Sequence, residues 1–430
     1  MTSADASDSI LSFEQARRLV EEHAAGLHPR GKELVELLES AGQVLAEPVL
    51  ADRNFPSFPR ATRDGFAVRA ADLTSLPATL QVIGEVKAGA EADAALTVES
   101  GQAVAIMTGA PAPPGSDAVV MVEYTRRSGD RVEIAKEISA GDNIVPVGAE
   151  AKRGARLLSV GMRLDHAAIA VAASVGRSRL LAYSKPRVAV LATGDEIVDI
   201  DVPLTVNQIR NSNTYSLAAQ IQAAGGEPVL LPIAPDEPER LRELIAEGLE
   251  ADLLLLSGGV SMGKYDLVEP VLKDFHAEFL FTGVQIQPGR PVVFGRVSCS
   301  TDTSANEIAK ETRTSGPRHK YFFGLPGNPV STMVTFELFA RPVLEALSGM
   351  TPGGLRFLHA KLKSEIKTKP GLKRFLPAIL SGEFEQVEVE LVPWQGSGDI
   401  AATARANCYI VIPPDRAQIA VGEWVPVLLR

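Results

Sequence analysis

The chain has 430 residues and a formal net charge of -10 at pH 7. Its length predicts about three domains, and 45% hydrophobic with 22% charged residues predicts ordinary buried cores rather than disorder. The acidic balance does not indicate a general basic surface for nucleic acid, although it allows a local cationic pocket. The two cysteines, Cys299 and Cys408, form no CxxC pair, so we expect neither a disulfide framework nor a thiolate zinc site.

Targeting and membrane-spanning segments are not expected from the sequence. The first residues, MTSADASDSILSF, lack the basic start and the apolar core of a signal peptide. No uninterrupted apolar run approaches the roughly 20 residues that span a bilayer. Together with the low cysteine content, these features predict a cytoplasmic protein that does not bind a membrane.

Helical patterns flank a β-rich segment in the first part of the chain. In SFEQARRLVEEH, Ser12 and Gln15 have the spacing of a capping box. Two further helices are predicted over KELVELLESAG and DHAAIAVAASVG. Between the helical patterns, residues 51–150 contain short β-like pieces separated by glycine and proline, which predict a small inserted β domain.

The second part of the chain predicts an open α/β sheet followed by another β domain. RVAVLATG and DLLLLSG are almost continuously apolar, which is typical of parallel strands buried on both faces. Helical patterns alternate with such runs up to about residue 349. A polar stretch, SCSTDTSANEIAKETRTSGPRHK, predicts a surface insertion without a role in the chemistry. From residue 354 onward, alternating patterns predict the second small β domain.

Acidic residues follow three of the predicted parallel strands. Asp195 and Glu196 follow the first, Asp236 the next, and Asp266 ends the glycine-rich SGGVSMGKYD. Ligands of open α/β sheets bind outside the carboxyl ends of the strands. Each acid can instead cap a turn or helix, and for Asp236 alone a cap of the helix beginning at Pro238 is the favoured interpretation. As a group, the acids favour Mg²⁺ held together with substrate phosphates.

Glycine-rich turns at the same edge predict a phosphate-binding backbone. Gly258, Gly259 and Gly263 permit close approaches and exposed N–H groups. Asn328 is a predicted N-cap and Pro329 a first helical residue, which directs a helix N-terminus to this edge. Ordinary strand-to-helix turns are the alternative, because neither loop has a P-loop or dinucleotide pattern. The scattered histidines and the absence of GxSxG disfavour a histidine zinc site and a hydrolase nucleophile.

The motifs taken together resemble one known family. In chain order they are TRDGFAV, AIMTGAP, ATGDEI, RNSNTYSL, SGGVSMGKYD, IQPGRP, GLPGNPVS and WQGSG. This set resembles the molybdopterin molybdenumtransferases, the MoeA family, which is similar to the gephyrin E domain. The resemblance runs from about Ile10 to the C-terminus. It implies a multidomain α/β plus β fold, with an elongated split helical domain (10–50 and 151–182), an inserted β domain (51–150), an adenylyltransferase-like α/β molybdopterin-binding domain (183–349) and a C-terminal β-barrel-like domain (354–430).

The resemblance also implies a function and a site. Family members insert molybdate into adenylated molybdopterin and release AMP with Mg²⁺. They act as homodimers whose site is shared between chains, and a molybdopterin adenylyltransferase donates the substrate. Asp64, Glu196 and Asp266 match catalytic acids, the last two as Mg²⁺ ligands, although Asp64 alone would suggest an Asp-Gly turn. The implied substrate-binding residues are Thr108, Thr193, Gly194, Asp236, Ser257, Gly258, Gly259, Ser261, Gln287, Arg290, Pro326, Gly327, Asn328, Pro329 and Ser331.

Some positions depart from the family pattern. Arg63 replaces a methionine and Asn211 an aspartate. Gly283 and Gln287 replace two lysines associated with oxyanion binding, which leaves Arg290 as the nearby cation and hydrogen-bond donor. Two alternatives therefore stay open beside molybdenum insertion: an adenylyltransferase acting on molybdopterin, and a non-catalytic scaffold that binds the cofactor.

Overall fold

The computed structural model describes residues 10–89, 96–259, 267–299, 318–350 and 353–430. Ser261, Gly263 and Asp266 lie outside these ranges, as does most of the predicted polar insertion. The chain divides into a larger unit (Met1–Val35, Gly42–Ala46 and Leu181–Arg430) and a smaller unit (Glu36–Ala41 and Glu47–Leu180). The α-helices are α1 Phe13–Ala24, α2 His166–Ser174, α3 Ser212–Ala223, α4 Pro238–Gly248, α5 Val268–Asp274, α6 Pro329–Thr335, α7 Arg341–Leu347 and α8 Ile400–Arg405.

A six-stranded mixed sheet is the main feature of the smaller unit. Its strand order is Ala118–Met121, Gly65–Val68, Gln102–Ile106, Ala78–Val86, Arg131–Ile134 and Thr125–Ser128. These strands confirm the β-like pieces predicted between residues 51 and 150. The predicted helix α2 is confirmed as well, and Asp165 caps it by accepting a hydrogen bond from the Ala168 N–H at 2.9 Å.

The helix predicted over KELVELLESAG is wrong. Lys32–Glu36 is a β-strand that pairs with Arg179–Tyr183. Leu34 and Leu38, two of the apolar residues of this segment, are 58% and 81% exposed. Pairing with a segment far along the chain overrides the local pattern here, because cross-strand contacts decide strand formation more than intrinsic preference does.

Helix α1 belongs to the core of the larger unit. Both hydrogen bonds of its predicted capping box are present: Gln15 N donates to Ser12 Oγ at 3.2 Å, and Ser12 N donates to Gln15 Oε1 at 2.9 Å. The helix buries Phe13, Ala16 and Val20 against the α/β sheet. This predicted helix and its start are therefore confirmed.

The central sheet of the larger unit has six strands. They are β1 Arg187–Ala192, β2 Glu227–Leu230, β3 Leu253–Ser257, β4 Glu278–Phe281, β5 Val293–Cys299 and β6 Arg318–Leu325. Their order is β2-β1-β3-β6-β5-β4, in which β2, β1, β3 and β6 run parallel and β5 runs antiparallel to its neighbours. The predicted open α/β sheet is confirmed. The strand order reverses between β1 and β3, where such sheets bind ligands.

A small closed barrel follows in the C-terminal part. Each of its strands pairs with the next and the last pairs with the first, in the order Lys373–Ser381, Glu388–Leu391, Phe357–Leu362, Trp424–Leu429 and Cys408–Ile412. Closure leaves no open sheet edge among these five strands. None of the helices that the structure describes has the length and apolar character needed to cross a membrane.

Candidate functional site at the carboxyl edge of the α/β sheet

The parallel strands continue their hydrogen bonding into the loops at their carboxyl ends. Thr193 N donates to Ser257 O at 3.1 Å, and Gly258 N donates to Leu325 O at 3.2 Å. Gly194 N reaches the segment after β2 by donating to Ala234 O at 3.2 Å. The structure thus brings together the loops after β2, β1, β3 and β6, as predicted from the parallel sheet.

Three glycines allow these loops to approach one another. Gly194, Gly258 and Gly259 have φ of +135°, +94° and +61°, values that residues with a Cβ adopt at a cost. A Cβ on Gly258 would lie 2.8 Å from the backbone oxygen of Thr193, and one on Gly259 would lie 2.7 Å from Thr193 Oγ1. Because the Gly258 N–H is already donated to Leu325, this glycine contributes close approach rather than a free donor.

Three carboxylates gather beside these loops. Asp195 and Glu196 follow β1 and Asp236 follows β2, and all three are exposed. Asp195 Oδ1 accepts the Asp236 N–H at 3.0 Å. The pKa of Asp236 is raised, first by partial burial and then by the negative charges of Asp195 and Glu196. The predicted cap is wrong: Glu237 is the N-cap of α4, and it makes no side-chain capping bond.

The donor chemistry at this edge suits Mg²⁺. Within the described ranges, no group of three or more histidine, cysteine, aspartate or glutamate side chains is arranged to hold a metal ion. Mg²⁺ needs fewer protein ligands, since it is held by one or two carboxylates with substrate phosphates and waters. The hard oxygen atoms of Glu196 fit that role. Partial burial is the main cause of the raised pKa of Asp236, and the smaller contribution from the negative charges of Asp195 and Glu196 is one that a cation would relieve.

The loop after β6 begins helix α6 as predicted, but its N–H groups are less available than expected. Asn328 occupies the N-cap position without a side-chain capping bond, and Pro329 follows as the first helical residue. The Val330 N–H donates to Ser397 O, in the WQGSG motif, at 3.0 Å. Since proline has no N–H, this helix start offers fewer free donors to an anion than the sequence suggested. Pro326 is buried in this loop, and Ser331 is 3% exposed in α6.

Asn213 joins two of the loops and was not predicted as a site residue. Its Nδ2 donates to Ser257 Oγ at 2.9 Å and to Gly327 O at 2.7 Å. The residue lies in the first turn of α3 and is 9% exposed. RNSNTYSL contributed to the family resemblance, but nothing local in it shows that Asn213 reaches β3 and β6. The sequence feature that could have pointed to Asn213 is its place two residues after Asn211, the N-cap of α3.

Gln287 and Arg290 belong to a segment beside the C-terminal barrel. Gln287 pairs in parallel register with Arg374 of the barrel, and both Gln287 and Arg290 are exposed. Gly283 is buried and pairs with Ile10, whose side chain would lie 3.3 Å from a Cβ at that position. The two substituted lysine positions are therefore in different surroundings, one buried and one exposed.

Asp64 and Thr108 meet in the smaller unit. Thr108 donates to Asp64 Oδ1 through its backbone N–H at 2.6 Å and its hydroxyl at 2.8 Å. The antiparallel register Gly65↔Ile106 places them together. These two bonds, the backbone bond first, lower the pKa of Asp64. Asp64 thus bonds across the sheet and not only within an Asp-Gly turn, and it is held as an exposed anion.

Family models match most of the chain. A model described as MoeA N-terminal region (domain I and II) matches residues 11–176. A probable molybdopterin binding domain matches residues 189–346, and the MoeA C-terminal region (domain IV) matches residues 359–429.

Similar proteins agree with these matches. A molybdopterin molybdenumtransferase of Nostoc sp. is 33% identical over 406 residues, which cover 92% of this chain and 88% of that protein. One from Haemophilus influenzae is 32% identical over 425 residues, or 97% and 98% of the two chains. The crystal structure of a molybdopterin biosynthesis moeA protein from Pyrococcus horikoshii OT3 is similar with a TM-score of 0.74 and 26% identity, covering 98% of this chain and 100% of that one.

Proposed function

Because this chain belongs to the MoeA family of molybdopterin molybdenumtransferases, it is a transferase of molybdenum cofactor biosynthesis, and we propose that it inserts molybdate into adenylated molybdopterin with release of AMP. The observation that carries the proposal is the carboxyl edge of the sheet. There the loops after β1, β3 and β6 approach closely beside Asp195, Glu196 and Asp236.

In the proposed step an oxygen atom of molybdate or water attacks phosphorus, the phosphoanhydride bond breaks and AMP leaves, so positioning and charge stabilisation matter more than a protein nucleophile. The glycine loops at Gly258 and Gly327 let the substrate's phosphates approach the backbone. Glu196 and Asp266 are the proposed Mg²⁺ ligands. A bound Mg²⁺ ion would neutralise phosphate oxygens during cleavage. Asp236, whose N–H donates to Asp195 Oδ1, is a proposed contact to the nucleotide.

Asp64 has a separate proposed role. Its exposed carboxylate is kept ionised by Thr108, so it is available to orient a polar group or a bound cation near neutral pH. The family resemblance supports a homodimer in which Asp64 of one chain completes the site of the other. A molybdopterin adenylyltransferase would supply the adenylated substrate.

The experiment that tests this proposal measures AMP. Purified protein receives adenylated molybdopterin, molybdate and Mg²⁺, and AMP is quantified by chromatography, with each component omitted in turn. We expect AMP only in the complete mixture. No AMP above the protein-free level, while the Haemophilus influenzae relative is active in parallel, would contradict the proposal. Asp266→Asn should abolish release, and full activity of that variant would remove Asp266 from the mechanism.

A scaffold that binds the substrate without converting it is the second candidate. It is favoured by Gly283 and Gln287 at the two positions where lysines were expected. This alternative predicts tight binding of adenylated molybdopterin without AMP release. Adenylation of molybdopterin by this chain with ATP would instead support an adenylyltransferase, so an ATP-containing reaction completes the assay.

A further inference from the structure

The amide of Asn213 lies between two loops that the proposed function places against the substrate. Its Nδ2 donates to Ser257 Oγ, at the end of β3, and to Gly327 O, in the loop after β6. The two loops are neighbours, because a Cβ on Gly327 would lie 3.6 Å from Gly258 Cα. One side chain from α3 thus joins both loops at the point where they meet.

The orientation of this amide is unambiguous. A backbone carbonyl such as Gly327 O only accepts hydrogen bonds, so the atom facing it must be the NH₂ group and not the oxygen. Asn213 Oδ1 is enclosed and has no hydrogen-bond partner among the described residues. The amide is therefore held by its two donated bonds. It is also 9% exposed, and loss of its donors would leave two acceptors without these partners.

Contacts within α3 and with the hydrophobic core fix the position of Asn213. Asn211 caps α3 by accepting a hydrogen bond from the Thr214 N–H at 3.2 Å, and Ser216 Oγ donates to Asn213 O at 3.0 Å. Leu217 and Ile221 of the same helix are fully buried in the core of the larger unit. Because this helical turn is well anchored, the Asn213 side chain can hold the two loops at a fixed distance. The loops themselves contain glycines, which have no side chains to pack against each other.

We propose that Asn213 is a positioning residue for the transfer reaction, which sets the distance between the Ser257–Gly259 loop and the loop of Gly327 through its two donated hydrogen bonds. This inference rests on the proposed function only for its effect on turnover. Its structural part, the restraint of two loops by one amide, holds whichever reaction the site performs.

Asn213→Asp is the variant that tests the donors. It keeps the size of the side chain but places an acceptor opposite Gly327 O. Asn213→Ala removes the amide without adding charge, and it serves if the aspartate variant does not fold. Gln222→Ala is the matched control, since Gln222 is an exposed residue near the other end of the same helix.

Hydrogen–deuterium exchange, followed by peptide mass spectrometry, reads the restraint directly. We expect faster exchange of peptides that contain Ser257–Gly259 and residues 326–328 in both Asn213 variants, with α1 and the barrel unchanged. We also expect a loss of about 10- to 100-fold in kcat/KM for AMP release, because small misplacements of reacting groups have effects of that size. The control should match the unaltered protein in both measurements.

The two readouts separate the possible failures. Unchanged exchange in both loops would overturn the inference even if AMP is released normally. Faster exchange throughout the larger unit would also overturn it, because it would show a general role in stability. If exchange rises only in the two loops while the unaltered protein releases no AMP, the restraint is supported and the proposed function fails.

Discussion

Gly258 gives the sharpest prediction for stability, because a side chain added there would meet backbone and not a movable side chain. Gly258→Ala would place a Cβ at φ +94°, 2.8 Å from the backbone oxygen of Thr193. The unfavourable φ costs about 1–2 kcal/mol, and overpacking against an immobile group costs about 1–3 kcal/mol more. We therefore expect the free energy of unfolding to fall by about 2–5 kcal/mol. Turnover should fall with it, because the loop must shift away from β1.

Substitutions of two other glycines serve as comparisons for the destabilisation expected at Gly258. Gly259→Ala would meet side-chain atoms, Thr193 Oγ1 at 2.7 Å and Val268 Cγ2 at 2.8 Å, which can move more easily than backbone. Gly422→Ala has a comparable φ of +80° but no heavy atom within 4 Å of the added Cβ, so it reports the backbone strain alone. The expected order of destabilisation is Gly258→Ala, then Gly259→Ala, then Gly422→Ala.

Urea unfolding followed by tryptophan fluorescence suits this comparison. Trp394 and Trp424 are the two tryptophans of the chain, and both lie in the larger unit with the three glycines. The free energies of unfolding of the three variants are compared with that of the unaltered protein. Equal decreases in the free energy of unfolding for Gly258→Ala and Gly422→Ala would refute the argument. They would show that the added Cβ at position 258 meets no steric resistance from Thr193.

Three further variants test local features. Thr108→Val removes the hydroxyl bond to Asp64 but keeps the backbone bond, which is the larger cause of the lowered pKa, so the pKa of Asp64 should rise only part of the way to its ordinary value. The lowered pKa stabilises the fold above the unfolded pKa, and this contribution is lost as pH falls through the folded pKa. The acid limb of the AMP-release profile should therefore move to higher pH in Thr108→Val and should not move in Thr108→Ser. Asp195→Asn should lower the pKa of Asp236 in a carboxyl NMR titration, but not fully, because burial is the larger cause; an unchanged pKa would contradict this charge coupling. Ser12→Ala should reduce the free energy of unfolding by about 1 kcal/mol in the urea assay through loss of the cap, and no change would count against the capping box.

The sequence predicted those features whose causes are local. Helix α1 could be predicted because Ser12 and Gln15 satisfy its first N–H groups within four residues. Strands β1 and β3 could be predicted because burial on both faces requires continuous apolar runs. The acids after β1 and β2 could be placed at one edge because parallel strands share it, and the raised pKa of Asp236 agrees with that placement.

The features that could not be predicted depend on distant pairing. Lys32–Glu36 is a strand because it meets Arg179–Tyr183, and nothing in its own spacing shows that partner. Thr108 meets Asp64 only through the register of two antiparallel strands. Asn213 reaches Gly327 across 114 positions of the chain. Such contacts follow from the assembled sheets and not from any short motif.

The central claim is that the carboxyl edge of the α/β sheet carries out the transfer, and single-turnover AMP release by Glu196→Gln tests it most directly. Loss of a carboxylate that is proposed to hold Mg²⁺ at the phosphates should slow release by at least about 100-fold. Glu237→Gln is the matched control, because Glu237 is an exposed acid at the start of α4 without a side-chain capping bond, and it should release AMP at the unaltered rate. Equal rates for both variants and the unaltered protein would contradict the assignment of this edge as the site.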